Sequence, residues 1–380
     1  MSVATASSGR REIEAIAVIG FGHGVSHFFH LMIPPLFPWL MRDFGLSFTQ
    51  AGLLTAVFFT VSGVGQAAAG FVVDRLGAWR VLVTGMGLFA AAGLILAAAP
   101  GYAVLILAAA VAGAGNCVFH PADFTLLNRN VSSPRLGHAF SVHGLSGNIG
   151  WALAPVFMTG ITVAAGWRVA ALAAAAVALL AMALYWLRRE AVADPVSPAQ
   201  RDGDGEPEGS IFAFLGVGAV WMCFLFFFLV TVALAALQNF GPVVLHEIYG
   251  MSLAAGASAL TAFLFGGAAG MVVGGFLVAR YASHDRIVAL VLVMAAGFAL
   301  AMAGGQVPAW SIAGLMAAMG FCTGMAGPSR DMLVRRAATA RFGQAAFGRV
   351  YGFVYSGLDT GFAVAPALIF GPLMDADQFT

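Results

Sequence analysis

Long apolar runs broken by short polar stretches organise this chain. A helix needs about 20 largely apolar residues to cross a hydrocarbon layer roughly 30 Å thick. Runs of that kind lie at residues 14–41, 48–74, 79–98, 101–130, 136–163 and 167–187. A second set lies at 211–244, 252–280, 285–304, 308–329 and 345–372. Each predicts a membrane-spanning helix. Between the sets, residues 188–210 are rich in Pro, Asp, Glu and Gly and read as a solvated linker. The reading divides the chain into an end segment (1–13), a six-helix bundle (14–187), the linker (188–210) and a second bundle with five visible helices (211–380).

Composition agrees with an all-α integral membrane fold. Charged residues are 9% of the 380, against about 25% in a soluble domain. Hydrophobic residues are 61%, and the mean hydropathy is +0.91. All 18 basic positions are arginine, so chemistries that need a lysine (a Walker A loop, a Schiff base) are excluded. A net charge of +1 carries no nucleic-acid footprint. Cys117, Cys223 and Cys322 are scattered and form neither a disulfide framework nor a CxxC pair. With the N-terminus in the cytoplasm and the helices alternating, 16 of the 18 arginines fall on the inner side, all but Arg42 and Arg168. The positive-inside rule therefore predicts a multi-pass protein of a bacterial inner membrane with a cytoplasmic N-terminus. The opening residues lack a cleavage site and read as a retained end.

Between the second and third runs stands Gly70-Phe-Val-Val-Asp74-Arg75-Leu-Gly77-Ala-Trp-Arg80, and a fainter echo, Gly275 to Arg280, follows the eighth. Repeats at matching loops are expected of secondary transporters. The first of these resembles the signature loop of the major facilitator superfamily. That resemblance implies two six-helix bundles, with Gly70, Asp74, Arg75, Gly77 and Arg80 forming a cytoplasmic latch. The echo has Ala279 where the acid would stand. A narrower resemblance, to the fosmidomycin-resistance branch, rests on Ser26-His27-Phe28, on Gly113 through Phe119-His120-Pro121, and on Leu136-Gly137-His138-Ala139. Gly147-Asn148, Gly150, Ala154-Pro155 and Phe347-Gly348-Arg349 extend it. It implies drug efflux in exchange for protons. Members of that branch carry an acid four residues after the histidine matching His27, where this chain has Leu31. The two-by-six plan calls for a twelfth helix, so we expect the chain to stop short of it.

Polar side chains within a bilayer are costly and point first to function. The first helix carries His23, His27 and His30 at i, i+4 and i+7, on one face. Histidine titrates near neutral pH, which suits a proton pathway. Pro34, Pro35 and Pro38 should loosen the outer end of that helix. The fourth helix repeats the spacing with Asn116, His120 and Asp123, and Pro121 should bend it beside His120. His120 and Asp123 either serve transport or bond one another against the next helix. The fifth helix adds His143 and Asn148, with Gly144, Gly147 and Gly150 predicting close helix packing. Gln238 and Asn239 are candidate cavity groups on the seventh helix. Asp359, in the eleventh run with no arginine near it in sequence, is suited to carry a proton in concert with the first-helix histidines.

These residues predict a secondary active transporter, proton-coupled and exporting a small molecule by alternating access. It needs the lipid bilayer and protons, works as a monomer, and requires no cofactor. No arginine sits at mid-membrane depth, so a neutral or amphiphilic cargo fits better than a strongly anionic one. The competing reading is an importer of a small nutrient or a metal ion, since histidine, methionine and cysteine can ligate soft metals. No MxxxM or CxxC pair is present, so no metal ligand set is assigned. His246-Glu247 fails the HExxH pattern because position 250 is glycine, so no enzyme is predicted.

Overall fold

The computed structural model describes residues 3–192, 216–342 and 347–378, and every regular element among them is helical. Eleven segments among these residues are long and apolar enough to cross a membrane, matching the eleven runs. Most runs are single helices: α3 (Phe48–Leu76), α4 (Ala78–Ala97), α7 (Ser133–Ala165), α8 (Trp167–Leu187), α9 (Gly218–Tyr249), α10 (Leu253–Arg280), α11 (His284–Ala303) and α12 (Ile312–Phe342). The linker is described only as far as residue 192, and the first residues of the seventh run lie outside the described residues.

Three runs are interrupted, each at proline. The first is α1 (Val3–His30), then a 3-10 turn at Pro34–Leu36, then α2 (Phe37–Phe44). Consecutive prolines remove two amide donors, so the helix cannot continue through them. The fourth divides into α5 (Tyr102–Asn116) and α6 (Phe119–Asn130). Pro121 has no N–H to offer the Cys117 carbonyl, and the helix resets one turn earlier. The last comprises α13 (Phe347–Val364), a wide π-type turn at Ala365–Phe370 containing Pro366, and α14 (Gly371–Asp375). Elsewhere turns are very tight. Gly77 (φ 85°) alone links α3 to α4, and Gly166 (φ 90°) alone links α7 to α8. Both need the left-handed conformations open to glycine.

Helices α1 to α8 pack together, as do α9 to α14, and the two groups meet along α3 with α13 and α7 with α10. Large apolar side chains such as Leu180, Val293 and Leu300 face outward, as lipid contact requires. Lipid is as apolar as leucine, so helices associate through close fit. In the second group that fit is extreme. A Cβ on Gly266 or Gly270 of α10 would meet the carbonyls of Ala317 and Phe321, and one on Gly320 or Gly324 of α12 would meet those of Phe263 and Gly267. Backbone touches backbone from Phe263 to Gly274 of α10.

The seam between the groups is tied mainly at the end bearing α2. There Asp375 accepts from the Phe48 and Thr49 amides at 2.6 and 3.0 Å, and from the Thr49 hydroxyl at 2.6 Å. A carboxylate on a helix N-terminus is favoured by both its free amides and its dipole. Deeper in, Thr55 donates to Asn239 (2.5 Å) and Thr261 donates to the Ala152 carbonyl (2.8 Å). Arg42, Asp43 and Trp167 meet at this same end: Trp167 Nε1 donates to Asp43 at 2.8 Å, and Arg42 pairs with Asp43 at 3.1 Å. At the opposite end Arg135 reaches Glu12 (3.5 Å) and Arg188 reaches Glu14 (2.8 Å), binding α7 and α8 to α1 within the first group.

Two outcomes follow. Gly320→Leu should destabilise the protein by about 1–3 kcal/mol or more through overpacking, whereas Gly275→Leu, where an added Cβ meets open space, should be neutral. Thermal unfolding in detergent measures both. Asp375→Ala should free the start of α3 by about 1 kcal/mol, as loss of a helix cap does. Amide exchange across residues 48–52 should then rise roughly fivefold.

Candidate functional site: a buried histidine cluster

Five of the eight histidines gather inside the first group, between α1, α6 and α7. The i, i+4, i+7 stripe of α1 supplies His23, His27 and His30. The reset at residues 117–118 places α6 so that His120 and Asp123 point at that stripe, and α7 brings His143 and Trp151. Ring centroids lie 4.4 Å apart for His23 and His27, 3.5 Å for His23 and His143, and 5.3 Å for His23 and His120. Glycine makes the approach possible. A Cβ on Gly150 would strike the Gly24 carbonyl, and one on Gly147 would stand 2.9 Å from the His27 ring. Gly144 faces open space, so only two of the three glycines on α7 do the packing expected of them.

Asp123 is the fully buried anchor. Its Oδ2 lies 3.1 Å from His143 Nε2 and 3.2 Å from His23 Nδ1. A carboxylate so enclosed needs donors, and His143 supplies one; His23 Nδ1 stands nearby without a hydrogen bond, and Asp123 Oδ1 has no partner among the described residues. Asp123 thus bonds His143 of α7 and not His120, whose Nδ1 faces Gln66 instead.

His30 is a different case. The Trp151 indole can only donate, so His30 Nδ1 accepts its N–H at 3.1 Å. His30 Nε2 must then carry the proton and donate to Asn116 Oδ1 at 2.9 Å. Asn116 in turn donates to Ser62 at 2.8 Å. This imidazole is neutral with both nitrogens engaged, and its place is structural. His27 is the opposite: neither ring nitrogen has a hydrogen-bond partner among the described residues. It lies between His23, His30 (4.7 Å) and the Trp151 ring (4.6 Å). His120 Nδ1 stands 3.0 Å from Gln66 Oε1.

The remaining candidates lie elsewhere. Asn239 forms the seam bond with Thr55, while Gln238 is buried with its Nε2 unpartnered. Asn148 donates to the Gly144 carbonyl and to Met271 Sδ across the seam. Asp359 faces Gly63 of α3, whose added Cβ would stand 3.5 Å from its own, and its carboxylate has no hydrogen bond or ion pair among the described residues. It joins no histidine there. α3 stands between them, with Ser62 turned to the cluster and Gly63 to Asp359. The other route is Trp151, 6.2 Å from Phe362 one turn beyond Asp359. In the signature loop Arg75 and Arg80 are exposed and Gly77 makes the turn, while the surroundings of Gly70 and Asp74 lie outside the described residues. Sequence reading missed Ser62, Gln66 and Trp151. Ser62 and Gln66, at i and i+4 in an otherwise apolar stretch of α3, were the available signal.

Chemically, the cluster offers imidazole nitrogens backed by a carboxylate, away from water. Such a set can hold a proton or a cation. The ligating atoms of His23, His27 and His120 lie within 4.8 Å of one another, as do those of His23, Asp123 and His143.

Known proteins share this chain's sequence pattern and fold. The chain is 29% identical to the fosmidomycin resistance protein of Escherichia coli over 284 residues, covering 72% of this chain and 67% of that one. It is 27% identical to the membrane sensor protein UhpC of Salmonella typhimurium over 365 residues (91% and 81%). Among solved structures, a bacterial homologue of the human lysosomal transporter Spinster superposes with a TM-score of 0.71 at 15% identity, over 96% of this chain and 83% of that one. A variant of the nucleoside transporter NupG superposes at 0.72 and 13% identity (94% and 92%). Residues 19–368 match the Major Facilitator Superfamily, and the chain belongs to that family of membrane transporters.

Proposed function

We propose that this transporter exports a small neutral or amphiphilic compound from a bacterial cytoplasm in exchange for protons, with Asp359 as the coupling carboxylate. The observation that carries the reading is the position of Asp359. It lies on the α3–α13 seam, opposite a glycine and without a bonding partner among the described residues. A carboxylate there is easier to slide past an apolar neighbour when protonated than when charged. Proton binding can thus bias the two helix groups between their arrangements, which is the thermodynamic requirement for coupling.

With the arginine-rich end in the cytoplasm, the end tied by Asp375, Thr55 and Thr261 faces outward. Opening outward then requires these bonds to break while the groups rock about the seam. All are single hydrogen bonds or caps, each worth about 1 kcal/mol, so the exchange is within reach of a proton gradient. The neutral character of the cargo rests on the arginines, which lie near helix ends and not at mid-depth. Efflux is also what the printed name of the E. coli relative suggests. Function as a monomer fits a seam contained within one chain.

In proteoliposomes, counterflow against a panel of amphiphilic and neutral compounds identifies a cargo. Asp359→Asn should then abolish pH-gradient-driven flux and leave counterflow intact. Driven flux that survives the substitution overturns the assignment of Asp359. Flux running with the proton gradient inward, in the same direction as the protons, favours uptake over export.

A further inference from the structure

The geometry points to a binding site for one divalent transition-metal ion of the zinc class, held by His23, His27 and His120. Sequence spacing alone gave no such set, because His120 comes from a separate helix. The reset between α5 and α6 is what turns it toward the α1 stripe. The three ligand atoms then fall within 4.8 Å of one another, a span that small side-chain movements close around an ion.

Three independent observations favour a metal. Both nitrogens of His27 are buried and without hydrogen-bond partners among the described residues, which is unusual for an imidazole whose only role is packing. Each of the other two ligands has an acceptor behind it, as metal-binding histidines do. Asp123 Oδ2 is 3.2 Å from His23 Nδ1, and Gln66 Oε1 is 3.0 Å from His120 Nδ1. With the His120 N–H directed backward, its Nε2 lone pair is left for an ion. The Asp123 carboxylate makes no hydrogen bond with His23 Nδ1 among the described residues but stands close enough to support that ring once an ion holds its Nε2. Finally, Gly147 keeps space clear: a Cβ there would stand 3.1 Å from His23 Nε2 and 2.9 Å from His27 Nδ1.

The neighbouring trio of His23, Asp123 and His143 shares His23 and cannot be filled at the same time. Its carboxylate oxygen already bonds His143 and stands 3.2 Å from His23 Nδ1, so it acts as support. His30 is excluded by its engaged nitrogens. Three imidazoles leave a fourth tetrahedral position open, the arrangement of sites that exchange a ligand, not of closed structural ones. The His27 and His120 side chains are partly exposed while the His27 nitrogens are buried, so an ion enters as neighbouring side chains move. Imidazole ligands select zinc, cobalt, nickel or copper over magnesium and calcium.

The test uses the full chain purified without a polyhistidine tag, with Zn2+ by calorimetry and Co2+ by visible absorption as probes. One equivalent of Zn2+ should bind, raise the unfolding temperature, and displace Co2+ showing tetrahedral nitrogen-ligand bands. His27→Ala and His120→Gln should each weaken binding at least tenfold, and Gln66→Leu should weaken it as loss of a supporting group does, about 10–100-fold. His246→Ala, on an exposed histidine, should change nothing. Asp359→Asn should bind Zn2+ normally, so the outcome is independent of proton coupling. If folded wild-type protein takes up no stoichiometric Zn2+, or if binding survives both ligand substitutions with the wild-type affinity, the site does not exist.

Discussion

A polar side chain left unpaired in hydrocarbon forfeits several kcal/mol. This one constraint accounts for much of the first helix group. Asp123 is fully enclosed, and His23 and His143 converge on a single oxygen of it from two other helices. His30, Asn116, Ser62 and Trp151 form a second chain of bonds across four helices. In water such networks would compete with solvent. In the membrane they fix which helix faces lie together, while the apolar residues between them are interchangeable with lipid.

The second group meets the same solvent by another means. It has few buried polar groups, and its cohesion comes from glycine against carbonyl along α10 and α12. Small-residue packing of this kind gives close dispersion contact over a long interface. The two groups are thus held internally by different forces. The seam between them is the weaker junction, made of isolated hydrogen bonds and a helix cap.

Much of this was legible in the sequence. Eleven apolar runs became eleven spans, and prolines at 34, 35 and 121 marked the breaks. The histidine stripe of α1 and the stripe of α6 were visible because helical periodicity alone places i, i+4 and i+7 on one face. Which stripes meet was not visible, since that depends on helix order and rotation. Hence His143 joined the cluster, His30 left it for a structural role, and Asp359 was separated from it by α3. Gln66 and Trp151 escaped notice for a related reason. Gln66 has only Ser62 beside it on its face and Trp151 stands alone, and each matters through a partner more than fifty residues distant in sequence.

The glycine-to-carbonyl contact of α10 with α12 has a mechanical consequence. Two helices whose backbones touch over several turns have no side-chain cushion between them, so neither can slide or rotate alone. The pair behaves as a stiff beam about one helix length long. Movement imposed at one end reaches the other undiminished, and bending is left to places where the helical ladder is already broken: the proline turn after α1, the gap before α6 and the wide turn around Pro366. The joints at these three breaks and the glycine contact of α10 with α12 thus divide the labour, while Pro155, Pro242 and Pro328 lie within unbroken helices.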